Sequence, residues 1–232
     1  MFPSLLFLAA VFTVCAGGAK EGTESRSQGA ARQSAQPAGE AADTASGNGQ
    51  ASADADRMIT VTDALGREVT VPRDPDHVLC SGPGALRLLT YLECQDRAAA
   101  VDDMEGRRPK FDARPYAMAH PEFKKLPIFG EFRGHDNPEL IVALTPRPQV
   151  LFKTYPGMGT DPVELQNKTG VPVIALNYGD LTGNKEQLYR TLRIMAEVLE
   201  AQPRAEEVIS FFEETIDDLN NRSEAIPEEE RP

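Results

Sequence analysis

The sequence predicts an α/β protein in which a mostly parallel sheet carries helices on both faces. The first observation behind this prediction is an alternation of short apolar runs and helix-periodic segments between residues 77 and 200. Strands that alternate with helices are usually parallel, because each helix carries the chain back to the end of the sheet where the previous strand began. The second observation is that residues 58–232 are numerous enough to bury a hydrophobic core.

The individual elements follow in order from Met58. The stretch "ITVTDALGREVTV" (59–71) alternates on both sides of a turn at 63–66, which predicts a β-hairpin. The apolar runs that predict strands lie at 77–80, 98–101, 126–129, 149–153 and 172–176. The helix-periodic segments lie at 83–92, 137–144, 161–168 and 184–200, with a helix or a loop at 107–119. A last helix is predicted over 204–222, where apolar residues form one broad stripe.

The first 57 residues predict a secretion signal followed by a flexible linker. Residues 1–19 open with about a dozen apolar residues, a run too short to span a bilayer and typical of a signal peptide. Cys15 is a candidate for the lipid anchor of a bacterial lipoprotein, while cleavage after Ala19 without lipidation and a simple buried cysteine stay open as alternatives. Residues 20–57 contain no large apolar side chain and cannot offset their ordering entropy by burial, which predicts a flexible tether.

Composition and cysteine spacing argue against several classes of function. The 24 basic and 36 acidic residues give a net charge of −12, which disfavours a surface for nucleic acid or anionic membrane. Cys80 and Cys94 lack metal-ligand spacing and are held about 13 Å apart by a predicted helix, so we expect two buried free thiols. Three scattered histidines disfavour a zinc site, and we expect no cofactor. Since no catalytic motif occurs, we assign no catalytic residue and expect binding without covalent chemistry.

The joint between the first predicted strand and helix is the main candidate site. In "VLCSGPGALRLLTYL" (78–92), an apolar run breaks at Ser81, Gly82, Pro83 and Gly84, and a helix-periodic segment starts at once. Ser81 can cap that helix, Pro83 suits its first turn, and the glycines let a ligand approach the backbone. The N–H groups at the helix start would favour an anion or an electron-rich oxygen, although a plain helix cap explains the same residues equally well.

Further polar side chains follow the other strands predicted to end at the same rim. The segment "GEFRGHD" (130–136) brings Arg133 with His135 close by, "KTYPGMG" (153–159) brings Tyr155, and "NYGD" (177–180) brings Tyr178. Because ligands of open α/β sheets bind beyond the carboxyl ends of the strands, these side chains are candidates for one ligand site. They suit a carboxylate-rich ligand, a metal chelate or an oxyanion, although such residues are also common on any loop surface.

Four stretches of the sequence, taken in order, resemble one protein family. They are the hairpin tip from Asp63 to Arg67, "VPRDPDHV" (71–78), the strand with its Gly-Pro-Gly joint, and "NPELIVALTPRPQVLF" (137–152). Together they resemble the class III periplasmic solute-binding proteins, the receptors of ABC importers for iron–siderophore, haem, cobalamin and related ligands. The segment "RPYAMAHPEFKKLPIFGEF" (114–132) is most similar to the haem-like and molybdate-like branch.

The resemblance implies roles for residues and segments of this chain. It implies that Ser81–Gly84, Arg133, Tyr155 and Tyr178 face the ligand cleft of a Rossmann-like N-lobe, and that Glu139 docks on arginines of an ABC permease. Residues 58–200 would form this N-lobe. Residues 201–232 would supply the helix that joins two lobes and a short tail. Because relatives continue into a second α/β lobe, we expect a truncated product or a fragment.

The implied function is that of a substrate-binding lipoprotein of an ABC importer for iron complexes, either siderophore or haem. A corrinoid or a molybdate or tungstate oxyanion is an alternative ligand, and a stand-alone secreted lobe for interaction or sensing is an alternative role. We expect a periplasmic or cell-envelope protein, anchored to the membrane through Cys15. Its partners would be the permease and a small-molecule ligand, with no nucleic acid and no enzymatic activity.

Overall fold

The computed structural model describes residues 57–107 and 113–224, together with residues 226, 227 and 229. Its strands are β1 (Met58–Thr62), β2 (Glu68–Pro72), β3 (Val78–Ser81), β4 (Ala98–Asp102), β5 (Ile128–Glu131), β6 (His135–Asp136), β7 (Val150–Thr154) and β8 (Val173–Leu176). Its α-helices are α1 (Ala85–Tyr91), α2 (Asp103–Gly106), α3 (Pro115–Ala119), α4 (Pro138–Ala143), α5 (Pro162–Thr169), α6 (Lys185–Leu199) and α7 (Gln202–Glu224). Short 3-10 helices cover Gln95–Arg97 and Pro121–Lys125.

The main sheet has the strand order β6-β5-β4-β3-β7-β8. All of its pairings are parallel except that of β5 with the short edge strand β6. The predicted α/β class with a mostly parallel sheet is therefore confirmed. Strand β6 was not predicted, because two residues leave no periodic signal in a sequence.

Helices cover the sheet on both faces, as the sequence predicted. Along β3 the side chains alternate, so that Val78 and Cys80 join a core with helices α1, α6 and α7, whereas Leu79 faces the opposite side. On that opposite side the core is completed by residues such as Ile141 of α4 and Leu165 of α5. Each central strand is thus buried on both faces, which fixes its position and the position of the loop that follows it.

The β1–β2 hairpin is fastened to the edge of the main sheet by its tip. The Asp63 carboxylate accepts hydrogen bonds from the Arg67 guanidinium, at 2.9 Å from Nε and 2.6 Å from Nη2, and from the backbone N–H of Ala175 at 3.2 Å. Arg67 also donates to the carbonyl oxygen of Val173 at 2.9 Å. The Asp63 and Arg67 pair of the "DALGR" stretch therefore holds the hairpin against β8, a structural role.

The last helix, α7, packs through its first half only. Ala205, Val208 and Ile209 are buried, whereas Phe211 and Leu219 are 63% and 56% exposed. The apolar stripe predicted over 204–222 is therefore confirmed as helical, with bounds at Gln202 and Glu224. Within the described residues, none of the helices combines the length and apolar character that a membrane crossing needs.

Most predicted elements are confirmed within about two residues of their ends, and two differ in a way that matters. The first helix was expected from residue 83 and begins at Ala85, because residues 82–84 form a turn. The segment 107–119 contains α3, while residues 108–112 lie outside the described part of the chain. The predicted signal segment at 1–19 and nearly all of the predicted linker at 20–57 also lie outside it.

Candidate functional site

A cleft of about 500 Å³ lies at the carboxyl ends of β3, β4, β5 and β8. This is the end of an open α/β sheet at which ligands ordinarily bind. The cleft is lined by Cys80, Gly82, Pro83, Gly84, Leu86, Arg87, Tyr91, Asp102, Met104, Glu105, Arg114, Pro115, Tyr116, Phe132 and Tyr178. The predicted joint and Tyr178 therefore lie in one cleft, which the sequence suggested but could not establish.

A side chain is excluded at each of the two glycines of the joint, by a different neighbour in each case. Both have left-handed backbone conformations, with φ of +85° at Gly82 and +75° at Gly84. A Cβ atom at Gly82 would collide with the backbone oxygen of Thr154 in β7. A Cβ atom at Gly84 would instead collide with the outer atoms of the Tyr178 ring. Gly82 thus lets two strands end side by side, and Gly84 lets the Tyr178 side chain lie against the joint.

One wall of the cleft is built around Arg87 of α1. The Arg87 guanidinium lies 5.6 Å from the centroid of the Tyr91 ring and 5.0 Å from that of Tyr178, at cation–π distances. Its Nη2 donates a short hydrogen bond to the Tyr178 hydroxyl. Burial raises the pKa of that hydroxyl. Tyr178 stacks on Tyr155 with the ring centroids 5.4 Å apart.

The other wall is built around Glu105 of α2, which is 6% exposed. Its Oε1 accepts a hydrogen bond from Arg114 Nη1 at 2.5 Å and another from the Tyr116 hydroxyl at 2.6 Å. Burial and the bond to Glu105 raise the pKa of Tyr116. The Arg114 guanidinium also lies over the Tyr116 ring at 5.2 Å. This wall carries a positive and a negative charge that compensate each other.

Asp102, at the end of β4, adds a carboxyl group to the cleft. Its side chain accepts a hydrogen bond from the backbone N–H of Glu105 at 3.1 Å and so caps α2. Burial, reinforced by the neighbouring charges of Glu105 and Asp103, raises the pKa of Asp102 to about 6. Its charge therefore changes close to neutral pH.

A buried ionic network lies beneath the rim. Lys153 of β7 is fully buried, and its Nζ lies 2.6 Å from Asp136 Oδ2, 2.9 Å from the carbonyl oxygen of Gly134 and 3.3 Å from Ser81 Oγ. The Ser81 hydroxyl donates to Asp136 Oδ1 at 2.6 Å. Each ammonium proton of Lys153 thus has an acceptor, as a buried charge requires. The network joins the ends of β3, β6 and β7.

The prediction that Ser81 caps the first helix is wrong. The N-cap of α1 is Gly84, which makes no side-chain cap, and the Ser81 hydroxyl is committed to Asp136. Ser81 is 1% exposed, so its side chain supports the rim from below. That Ser81 takes part in ligand binding stays a prediction. It would do so indirectly, through the neighbouring residues of the joint.

Arg133 and Tyr155 lie on the rim next to the cleft. Both have left-handed backbone conformations, with φ of 66° and 52°, and a side chain in this conformation costs about 1–2 kcal/mol. The Arg133 guanidinium lies over the ring of Phe132, which lines the cleft. Tyr155 contributes to a neighbouring hollow of about 410 Å³ that shares Tyr178 with the cleft. Strained residues of this kind concentrate at functional sites.

The remaining predicted residues lie elsewhere. Glu139 is exposed in the first turn of α4, which Asn137 caps through a 3.1 Å bond to the backbone N–H of Leu140. It lines a separate hollow of about 380 Å³ with His135. Cys80 and Cys94 are buried free thiols, as predicted, whereas Cys15 lies outside the described residues.

Sequence reasoning missed two of the central residues. Arg87 interrupts the apolar run of α1 four residues before Tyr91, a spacing that places both on one helix face. Lys153 follows three apolar residues within β7. A charged residue inside an apolar element is the signal that could have pointed to both.

Among the described residues, no group of three or more His, Cys, Asp or Glu side chains is arranged to hold a metal ion.

Comparison with known proteins shows similarity in structure to periplasmic binding proteins. No family model and no curated protein matches the chain. The structure is similar to the molybdate periplasmic binding protein of a Haemophilus influenzae ABC transporter, with a TM-score of 0.60 and 19% identity over 75% of this chain and 56% of that chain. For the petrobactin-binding protein of Bacillus subtilis the TM-score is 0.55, with 16% identity over 72% of this chain and 54% of that chain.

A third similar structure is a periplasmic solute binding protein of Veillonella parvula. Its TM-score is 0.55, with 15% identity over 74% of this chain and 50% of that chain. The chain thus spans about half the length of each of these proteins. The resemblance seen in the sequence is confirmed at the level of the fold. Over about half of their length, the chain has the fold of these periplasmic solute-binding proteins.

Proposed function

We propose that the chain is the N-lobe of a substrate-binding lipoprotein of an ABC importer, and that its cleft contacts one side of an iron complex, either siderophore or haem. The observation that carries this proposal is the position of the cleft, at the carboxyl ends of four strands in a fold shared with solute-binding proteins. The tyrosine rings and the arginine on its wall suit a large ligand with anionic oxygens and apolar surface.

The same proposal gives Glu139 a role at the permease. Its carboxylate is exposed on the first turn of α4, on a hollow separate from the ligand cleft. An exposed acidic group held by a capped helix presents a fixed charge, which suits recognition by arginine side chains. Ligand and permease would therefore meet different surfaces of the lobe.

Anchoring through a lipid on Cys15 is the second part of the proposal, and it rests on the apolar run at the start of the sequence. A lipid anchor would place the protein at the outer face of the cytoplasmic membrane. We expect Cys15→Ala to move the protein from the membrane fraction to the soluble fraction when cells are fractionated. Retention of the variant in the membrane fraction would remove the anchor from the proposal.

Two alternatives have their own support. A corrinoid or a molybdate or tungstate oxyanion fits the same cleft chemistry, and one of the similar structures is a molybdate-binding protein. A stand-alone lobe for interaction or sensing is favoured by the exposed apolar residues Phe211 and Leu219 of α7. Binding of a corrinoid or an oxyanion at the cleft would favour the first alternative. The absence of ligand binding at the cleft would favour the second.

The test is a titration of the full 232-residue chain with haemin, a ferric tris-catecholate, cyanocobalamin and sodium molybdate, followed by tyrosine fluorescence and calorimetry. We expect one of these probes to bind, and Tyr178→Ala to weaken its binding by at least about tenfold, because the ring forms part of the cleft wall. Phe211→Ala, on an exposed part of α7, is the control and should leave affinity unchanged. Equal affinity of the Tyr178→Ala variant, or no binding of any probe, would contradict the proposed role of the cleft.

A further inference from the structure

Arg87 is a positively charged side chain that lines the cleft. Within the described residues, no carboxylate forms an ion pair with its guanidinium, although the chain has 36 acidic residues against 24 basic ones. Four other buried or partly buried basic side chains each bind a carboxylate at 2.6 Å or less: Arg67 binds Asp63, Arg97 binds Asp74, Arg114 binds Glu105 and Lys153 binds Asp136. Arg87 therefore differs from these four cations, each of which is neutralised by a carboxylate within the protein.

The hydrogen bonds of Arg87 are also incomplete. Its Nη2 donates to the Tyr178 hydroxyl, which is a neutral acceptor. Its Nε is covered by surrounding atoms and has no acceptor among the described residues. A buried N–H group without an acceptor is unfavourable, and it gains most from an acceptor that carries charge.

The position of the guanidinium is nevertheless well defined. Its Cζ atom lies 5.6 Å from the centroid of the Tyr91 ring and 5.0 Å from that of the Tyr178 ring, and Nη2 is held by the Tyr178 hydroxyl. A guanidinium that is already oriented loses little rotamer freedom when it binds an anion, and its Nε and Nη2 form a fork that matches two oxygens of one anionic group. The surrounding lining is largely apolar and includes Pro83, Leu86 and Phe132.

We propose that Arg87 is the anion-binding residue of the cleft, and that an anionic oxygen group of the ligand takes the place of the Tyr178 hydroxyl on its guanidinium. This rests on the proposed function, because it assigns the chemistry of the same cleft. The ligand would carry its anionic group on an apolar body that contacts Pro83, Leu86 and Phe132. The opposite wall cannot serve the same purpose, since Glu105 already neutralises Arg114 there.

Tyr178 has two separable effects in this arrangement. Its ring orients Arg87 and lines the cleft, which favours binding. Its hydroxyl occupies Nη2 and competes with the incoming anion. Removing the ring should therefore weaken anion binding, whereas removing only the hydroxyl should strengthen it.

The experiment is a titration of the full chain with phenyl phosphate, with inorganic phosphate and benzyl alcohol as comparison probes. Binding is followed through the Nε–Hε resonance of Arg87 in ¹H–¹⁵N NMR spectra, assigned by its loss in Arg87→Gln. We expect phenyl phosphate to shift this resonance and to bind more tightly than inorganic phosphate, while benzyl alcohol leaves the resonance in place. Arg87→Gln should weaken phenyl phosphate binding at least about tenfold, as loss of a charge-assisted pair of hydrogen bonds implies.

Two further variants test the assignment. Arg190→Gln removes an exposed arginine of α6 and should leave the affinity for phenyl phosphate within about twofold of the original. Tyr178→Phe should raise that affinity by about two- to fivefold, because it removes the competing hydroxyl and keeps the ring. Circular dichroism verifies that each variant is folded before its affinity is compared.

The outcomes separate this inference from the proposed function. No shift of the Arg87 resonance by phenyl phosphate, or an affinity that Arg87→Gln leaves unchanged, overturns the inference. If haemin or another chelate binds equally well to the Arg87→Gln variant, the function stands and the inference fails. If phenyl phosphate binds at Arg87 but no chelate, corrinoid or oxyanion binds to the chain, the inference stands and the proposed function fails.

Discussion

The two walls of the cleft treat the same residue type in opposite ways. On one wall Arg114 is held by the Glu105 carboxylate and the Tyr116 hydroxyl, so its charge is compensated within the protein. On the other wall Arg87 lies within cation–π distance of two tyrosine rings, and among the described residues its hydrogen-bond partner is a neutral hydroxyl. A compensated arginine serves the fold, because removing its partner leaves a buried charge. An uncompensated arginine is available to a ligand.

The same contrast distinguishes the cleft residues that contribute to stability from those that are available for ligand binding. Burying an ion pair gives little net stability, but breaking one by removing a single partner is costly. Removing a cation that has no ion pair leaves no charge behind. Substitutions on the two walls should therefore differ much more in their effect on folding than their similar positions suggest.

The largest expected effect comes from Glu105→Leu. It leaves Arg114 with one carboxylate fewer and the Tyr116 hydroxyl without its acceptor on a largely buried wall. We expect the free energy of unfolding to fall by about 2–4 kcal/mol. The measurement is urea unfolding at pH 7, followed by circular dichroism.

Arg87→Met is the matched substitution on the other wall. It removes a charge without an ion pair and keeps much of the apolar side-chain volume, so the loss should stay below about 1 kcal/mol. A cost for Arg87→Met equal to that of Glu105→Leu would show that the two walls do not differ in the way proposed.

An effect that depends on pH is expected for Asp102→Asn. Because burial raises the folded-state pKa of Asp102 to about 6, the folded protein holds this proton more tightly than the unfolded chain does. The carboxyl group of Asp102 therefore stabilises the folded protein at low pH. This contribution to the free energy of unfolding is lost as the pH rises from about 4 through 6. Asparagine keeps an oxygen for the Glu105 N–H and removes the titration. We expect the variant to gain about 1–3 kcal/mol over the original protein at pH 7 and to match it near pH 4.

Asp180→Asn serves as the control for this pH profile. Hydrogen bonds from Asn184, Gly183 and Thr182 lower the pKa of Asp180 to about 2, so its contribution is present above pH 4 and disappears only as the pH falls towards 2. Its substitution should leave the slope between pH 4 and 6 unchanged. A slope that persists in Asp102→Asn would assign the titration to another group.

The sequence was sufficient to predict the order of the strands and helices and the residues along one edge of the cleft. Strand β3 and the glycine joint were found because apolar runs and turn residues are local signals. Tyr178 was found because it directly follows a predicted strand of a parallel sheet. Its contact with Gly84 was not found, because no local pattern links residues that are so far apart along the chain.

Arg87 and Lys153 show why the rest of the site was out of reach. Arg87 meets Tyr178, 91 residues away, and Lys153 meets Ser81, 72 residues away. What makes each residue important is the presence or absence of a partner charge, which is a property of the tertiary structure. The error over Ser81 has the same origin, since a serine before a helix is ordinarily a cap and here it bonds Asp136.

The network around Lys153 also has a consequence for folding. Its members come from β3, β6 and β7, so it cannot close until all three strands are in register. Contacts between segments far apart in the chain form slowly, because loop closure precedes any gain from the contact. The β1–β2 hairpin, by contrast, needs only neighbours such as Thr60 and Thr70. The rim that would meet the ligand is thus completed late in folding, and we expect its amide protons to exchange with solvent before those of the sheet centre.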